Sequence, residues 1–344
     1  MMKKFLIVLL MAMVAMSAFA AGQAESEAAG GYKVALLDAN NNNAWRIQME
    51  KNIQELIDEY KADCVVSSYT AYSANDEATV QTQQMNQLIA QGVDLILVNP
   101  VSATSLNPVI DQALAKDIVV MGIDSTIDHP GVINVVNDQY EYARKHIEWL
   151  IDQIDGRGKI LQFNAIAGVP ANEERESIYD EYLARHPEIE VLATVYHSWN
   201  TSKAKQLTSN LISAHPQFDA ILTQEATPGI MAALVEANHP FPKAISGDES
   251  IAGLRTWAKY DYNSIMVENP PGVGADGLMI GIRVLQGESL RDEVLENGNT
   301  IRIPPTLVIT RETRDEWVER TKDLPDNAYI DHVMTQDEIA ELFE

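Results

Sequence analysis

Short, unbroken apolar runs alternate with amphipathic segments along almost the whole of this chain, and few folds accommodate that pattern. The runs are Val34 to Leu37, Leu95 to Val98, Ile118 to Met121, Ala220 to Leu222 and Ile265 to Val267. Each is continuous, with no polar residue in every second place, which is how strands covered on both faces of a parallel sheet read. Segments with helical spacing lie between them. Trp45, Met49, Ile53, Leu56 and Tyr60 form one stripe, Ala143, Ile147, Leu150, Ile151 and Ile154 a second, and Leu207 with Leu211 a shorter third. Strand and helix in alternation give parallel sheets joined by right-handed crossovers, so the expected class is α/β with helices flanking the sheets. The pattern runs through two successive sets, roughly 32–136 and 138–267, and the two share no sequence repeat. No low-complexity linker parts them, so two lobes joined by several short crossings are expected.

The first twenty residues stand apart. Lys3 and Lys4 precede the apolar run Phe5 to Met16, and Ser17 to Ala20 offer the small residues that a signal peptidase reads. Twelve residues reach about 18 Å as a helix, too little to cross a bilayer, so an export signal cleaved near Ala20 is expected. Residues 21–31 read as a flexible leader. Cys64 is the sole cysteine, which excludes an intrachain disulfide, and no cysteine at the cleavage site offers a lipid anchor. The expected address is the periplasm, with no direct membrane insertion. Of 25 basic and 50 acidic side chains only Lys3 and Lys4 fall in the first twenty residues. The strongly acidic remainder repels phosphate backbones and argues against nucleic acid as a partner.

In open parallel sheets ligands bind beyond the carboxyl ends of the strands. Here Asp38 to Asn43, Asn99, Asp124, Glu225, Asp248 and Glu268-Asn269 each follow an apolar run. Any one of these is ordinary for a loop, but six carboxylate- or amide-bearing exits together suit a ligand cleft. Hydroxyl groups both donate and accept, so such side chains match a polyhydroxylated ligand, whose C–H faces pack on aromatic rings. Trp45 and Trp199, both at expected helix starts, are the candidate ring walls. Other patterns carry less. Gly272 to Gly277 matches a dinucleotide fingerprint, yet Pro270-Pro271 precede it and no βαβ unit follows, so it reads as a turn into a helix. Asp38, Asn40 and Asn42 imitate the start of a calcium loop that lacks its glycine and its final glutamate. The seven histidines show no zinc spacing, and no metal or cofactor is expected. Paired carboxylates such as Glu225 and Asp248 raise a glycosidase as an alternative, with nothing else in the sequence to support chemistry. The expected protein is not an enzyme.

The stretches NNNNAWRIQM (40–49), QGVDLILVNPVSATSLNPVI (91–110), VVMGIDST (119–126), IAGVPANEER (166–175) and LISAHPQFDAILTQ (211–224) resemble, in sequence and in order, the ribose-binding branch of type I periplasmic sugar-binding proteins. The likeness covers nearly the whole mature chain. It implies two Rossmann-like lobes joined by a three-crossing hinge, with residues 32–137 and 269–302 in the N-terminal lobe and 138–268 and 303–344 in the C-terminal one. It implies a monomer that binds a small sugar or polyol in the cleft and docks on the membrane permease of an ABC importer. A sensory receptor for the same ligands is the alternative. Carried over residue by residue, Asn42, Trp45, Asn99 and Asp124 face the ligand from the first lobe, and Arg175, Trp199, Glu225, Asp248 and Glu268 from the second lobe and hinge. Arg175 is the expected bidentate donor. Asn43 and Arg46 join them through the Asn-x-Trp-Arg run. Pentose binders of that branch carry two adjacent aromatics where Ala44 and Trp45 stand, an arginine in place of Ser125, and Asn and Gln in place of Glu225 and Glu268. The site is thereby more acidic than a ribose site, and a larger sugar, a polyol or an amine-bearing ligand fits the exchange.

Overall fold

The computed structural model describes residues 30–344, so the expected export signal and all but the end of the leader lie outside the described residues. Two mainly parallel sheets carry the architecture. The first has strand order β11-β5-β4-β3-β1-β2, built from β1 (Tyr32–Asp38), β2 (Val66–Ser73), β3 (Leu95–Val98), β4 (Val119–Ile123), β5 (Ile133–Asn137) and β11 (Thr300–Ile303). Its central strands are the continuous apolar runs, with every residue of β3 buried. Helices α1 (Ala44–Ala62), α2 (Ala78–Gln91) and α3 (Asn107–Leu114) cover its faces, joined by α9 (Val273–Leu285). A Cβ on Gly277 of α9 would meet Ile123 Cγ2 at 2.5 Å, so glycine lets this helix lie close on β4.

The second sheet has order β7-β6-β8-β9: β6 (Gly158–Asn164), β7 (Ile189–Tyr196), β8 (Ala220–Thr223) and β9 (Ala244–Ile245). A parallel bridge from Ile245 to Ser264 leads on to the antiparallel pair β10 (Met266–Val267) and β12 (Val308–Ile309). Around them stand α4 (Gln139–Gln153), α5 (Pro170–Arg185), α6 (Thr201–Ala214), α7 (Thr227–Glu236), α8 (Ile251–Tyr260) and α10 (Arg314–Arg320). The two α/β lobes thus follow the alternation of apolar runs.

The chain passes between lobes at Asn137–Gln139, at Val267–Pro271 and at Ile303–Val308. A fourth passage was absent from the expected three. After α10, Ile330 packs in the second lobe's core, and Ile330 N donates to Glu249 O at 3.2 Å. The tail then leaves for the first lobe, where Ile339 of α11 (Gln336–Ala340) and Phe343 sit among the core side chains. Residues 331–344 therefore belong with the first lobe, not the second. The reason is local: Asp331 accepts from Gln48 Nε2 (2.8 Å), Asn52 Nδ2 (2.7 Å) and Gly272 N (2.8 Å), all on first-lobe helices or their starts. A Cβ at Gly272 would lie 1.8 Å from His332 O, so the glycine cluster read as a turn into a helix also admits the tail.

Asp276 of α9 is buried beneath this strap, where its Oδ1 accepts from Met334 N at 2.9 Å. Burial pushes its carboxyl up to about 7. A carboxyl whose native pKa lies above its unfolded value binds more protons when folded, so stability falls as pH rises from about 4 toward 7. Asp276→Asn, which keeps the acceptor and removes the charge, is expected to take on the order of 2 kcal/mol out of the stability lost between pH 5 and 7.5. Urea unfolding at the two pH values measures it; an unchanged drop in the variant sinks the assignment.

Candidate functional site

Several strand exits of both sheets open toward one cleft, and backbone strain concentrates there. Asp124 after β4 (φ 64°), Ser198 and Trp199 after β7 (57° and 48°) and Ala226 after β8 (67°) all adopt left-handed conformations that non-glycine residues avoid. Those turns aim side chains into a cavity of about 370 Å³, lined by Asn43, Trp45, Arg46, Asp124, Ala171, Arg175, Trp199, Glu225 and Asn269. Seven of the eleven residues expected from sequence are thus brought to one place.

The first lobe contributes a guanidinium held by carboxylates. Arg46 Nη1 donates to Asp38 Oδ1 at 2.9 Å and Nη2 lies 3.6 Å from Asp124 Oδ2. Burial raises both carboxyls, Asp38 to about 7, against the pull of Arg46. Asn43 caps α1, its Oδ1 accepting from Arg46 N at 2.9 Å, which fixes where the helix starts and so where Trp45 and Arg46 point.

The second lobe answers with Arg175 on α5. This side chain is 1% exposed; its Nε donates to Gln139 Oε1 at 2.7 Å and its Cζ lies 4.1 Å from the centroid of the Tyr142 ring. Its Nη1 has no protein partner among the described residues and belongs to a residue on the cavity wall. A relay ties the two lobes: Trp45 Nε1 donates to Asn269 O (2.7 Å), Gln139 Nε2 donates to Asn269 Oδ1 (2.9 Å), and Gln139 in turn holds Arg175. Opposite, Glu225 is buried beside Glu249. Burial first, then the neighbouring Glu249 and Asp248 carboxyls, push Glu225 well above the usual carboxylate range. Burial raises Glu249 to about 7 while Arg175 pulls it down. Between them these groups favour a shared proton at neutral pH.

Four expected residues stand elsewhere. Asn42 is exposed on the loop before α1. Asn99 lies behind Asp124, its Nδ2 donating to Asp124 Oδ2 at 3.1 Å, and so orients a cavity residue without lining the cavity. Asp248 is turned away: Oδ2 accepts from Thr227 N (3.0 Å) and Oδ1 from Ser250 N (2.8 Å), which anchors the starts of α7 and α8. Asp248 is therefore held in these two helix starts and is not among the residues that line the cavity with Glu225. Glu268 spends its Oε1 on Thr306 N, Thr306 Oγ1 (2.7 Å) and Leu307 N (2.8 Å), and lines a separate cavity at the hinge. Successive residues of an extended segment face opposite sides, so its neighbour Asn269 takes the cleft position. The exit Glu268-Asn269 carried the signal, but not which of the two faces inward. The sequence does not single out Gln139 or Glu249: Gln139 follows β5, whose run is broken by Asn134, and Glu249 stands one place beyond Asp248 at its exit; Tyr329, whose hydroxyl lies 3.5 Å from Glu225 Oε2, sits in the tail after no strand.

Glu268→Gln keeps the acceptor that holds Thr306 and Leu307, so affinity is expected to change less than about threefold. Glu225→Ala removes a buried hydrogen-bonding group from the cavity and is expected to weaken binding about 10- to 100-fold. Titration calorimetry of the two variants distinguishes the positions; equal losses would overturn this placement.

Among the described residues no group of metal-ligating side chains gathers, and no helix is long and apolar enough to cross a membrane. A family model described as "Periplasmic binding protein domain" matches residues 34–289. A xylitol-binding protein of Mycolicibacterium smegmatis is 28% identical over 268 residues, spanning 77% of this chain and 71% of that protein. The ribose import binding protein of Escherichia coli is 24% identical over 75% of this chain and 86% of its own length. Among solved structures, an ABC transporter solute binding protein from Thermobispora bispora superposes with a TM-score of 0.80 at 23% identity, covering 90% of this chain and 94% of that one. One from Bacillus halodurans with bound myo-inositol reaches 0.73 at 18% identity, covering 85% and 99%.

Proposed function

This chain belongs to the periplasmic binding protein domain family, and from that premise we propose that its cleft captures a sugar or polyol and delivers it to an ABC importer. Relatives that bind xylitol and ribose support this ligand class. The observation that carries the reading is the convergence on one cavity, from both lobes, of two guanidinium groups, two carboxyl groups and two indoles. Arg46 and Asp124 from one side, and Arg175 and Glu225 from the other, offer donors and acceptors to ring hydroxyls, while Trp45 and Trp199 offer apolar walls.

A neutral ligand suits this site better than an amine. Asp38 and Asp124 already face Arg46, and Glu225 with Glu249 faces Arg175, both carboxyls of that pair pushed upward by burial. The two guanidiniums leave little net negative charge for a cationic ligand to neutralise. The carboxyls gained relative to a ribose site then act as hydrogen-bonding groups rather than as counter-ions.

The lobe limits that follow are 32–137, 269–302 and 331–344 for the first lobe, and 138–268 with 303–330 for the second. Family membership supports a periplasmic address, and we place the mature chain there after cleavage near Ala20. Binding closes the lobes, and the closed monomer docks on the permease. No catalytic role is assigned to the cleft carboxyls.

Thermal melting of ligand-stripped protein against pentoses, hexoses, polyols, inositols and amino sugars tests the reading. A ligand at a hundred times its Kd adds about 2.7 kcal/mol of stability, which shifts Tm by several degrees. A shift with a neutral sugar or polyol is expected. A shift confined to amine-bearing compounds overturns the assignment.

A further inference from the structure

A second cavity adjoins the first. It spans about 680 Å³, open in part to solvent, and borders on Arg46 and Trp199, two of the side chains that wall the inner site, so the two spaces meet between them. Its remaining wall comes from both lobes. Ala39, Pro100 and Val101 face it from the first, and the loop Ile166 to Val169 from the second. The two cavities differ in chemistry. The inner one offers charged groups on both sides. The outer one is mostly apolar, and its amide and carboxylate at Asn40 and Asp76 meet at the exposed edge, Asn40 Nδ2 donating to Asp76 Oδ1 at 2.6 Å. What the outer cavity adds to the inner one is therefore chiefly the apolar surface of Ala39, Pro100, Val101, Ile166 and Val169.

We propose that the outer cavity is a subsite for an apolar substituent, and that the preferred ligand is a glycoside whose sugar ring sits in the inner cavity. The inference rests on the sugar reading above and narrows it. A free monosaccharide satisfies the inner donors and acceptors and leaves the Val101, Ile166 and Val169 surfaces wet. An alkyl or aryl group joined to that sugar passes between Arg46 and Trp199 and covers them, which adds apolar burial and costs one donor, the anomeric hydroxyl.

The test is titration calorimetry on the ligand-stripped mature protein with D-ribose, D-xylose, D-allose and D-galactose, each as the free sugar and as its phenyl β-glycoside. At least one phenyl glycoside is expected to bind roughly tenfold or more tightly than its parent sugar. Ala167→Trp, at an exposed position on the outer loop where added bulk cannot disturb a core, is expected to erase that gain and leave the parent sugar's affinity within about threefold. Parent sugars that bind while their glycosides bind no better overturn the subsite and leave the sugar reading intact. So does an Ala167→Trp variant that weakens both ligand sets equally. If neither set binds a protein that melts cooperatively, the glycoside proposal falls, while the polyols and inositols of the melting panel still decide the wider reading.

Discussion

Replacing Arg175 with alanine is expected to weaken ligand binding about a thousandfold. Its guanidinium is oriented before any ligand arrives, by Gln139 on its Nε and by the Tyr142 ring beneath it, while Nη1 is left without a protein partner. A ligand hydroxyl that accepts from this fork gains charge-assisted bonds whose geometry is already set, each worth about 1.5–3 kcal/mol. Two such bonds lost amount to about 4 kcal/mol, or three decades of Kd. Arg175→Ala also strips the nearest positive charge from Glu225 and Glu249, so its Tm falls as well. Arg175→Lys retains the charge and loses the planar fork, and is expected to bind about a hundredfold more weakly than the native protein while melting close to it. Calorimetry with whichever sugar the panel identifies measures both. Variants that bind within tenfold of the native protein would remove Arg175 from the site.

Deleting residues 331–344 is the second large effect, expected to lower the free energy of unfolding by about 5 kcal/mol. The deleted segment places Ile339 and Phe343 inside the first lobe's core, each fully buried or nearly so. Burying a side chain of that size contributes about 2–3 kcal/mol. Backbone bonds go with them, Arg291 N to Leu342 O and Glu344 N to Ser289 O, both at 3.0 Å. Since domains of this kind are stable by only about 5–15 kcal/mol, the loss is a large fraction of the total. Phe343→Ala is the milder form and is expected to cost about 3 kcal/mol. Urea unfolding of both reads the effect. A truncated chain that melts within a degree or two of the native one would show that the tail merely lies on the surface.

The strap is also where reading the sequence and reading the structure part. The tail residues 331–344 are mostly polar and acidic, with Ile339 and Phe343 the buried exceptions, too sparse to announce a core contribution. What holds them is a set of pairings with Gln48, Asn52 and Gly272, remote in sequence. Strands show the same division. β1, β3, β4 and β8 are covered on both faces and read as unbroken apolar runs. β2 and β7 lie at the sheet edges with most residues exposed or half-buried, and their β-branched and aromatic residues are interspersed with polar or charged ones, so neither was among the runs that marked the central strands. At the site the exits were visible as polar residues after apolar runs. Which residue of an exit faces the cleft was not. Asp124 does and Asn99 supports it from behind; Asn269 does and Glu268 ties down the hinge.

The sequence by itself determined the α/β class, the two sets of parallel strands and the polar character of their exits, because burial on both faces and helical periodicity are local demands written into consecutive residues. Only the tertiary structure decided the fourth crossing, the choice between Glu268 and Asn269, and the pairing of Glu225 with Glu249. Those depend on which backbone amides and carboxyls meet across the hinge and within the second lobe, and such contacts join positions tens to hundreds of residues apart, on which the local pattern imposes no constraint.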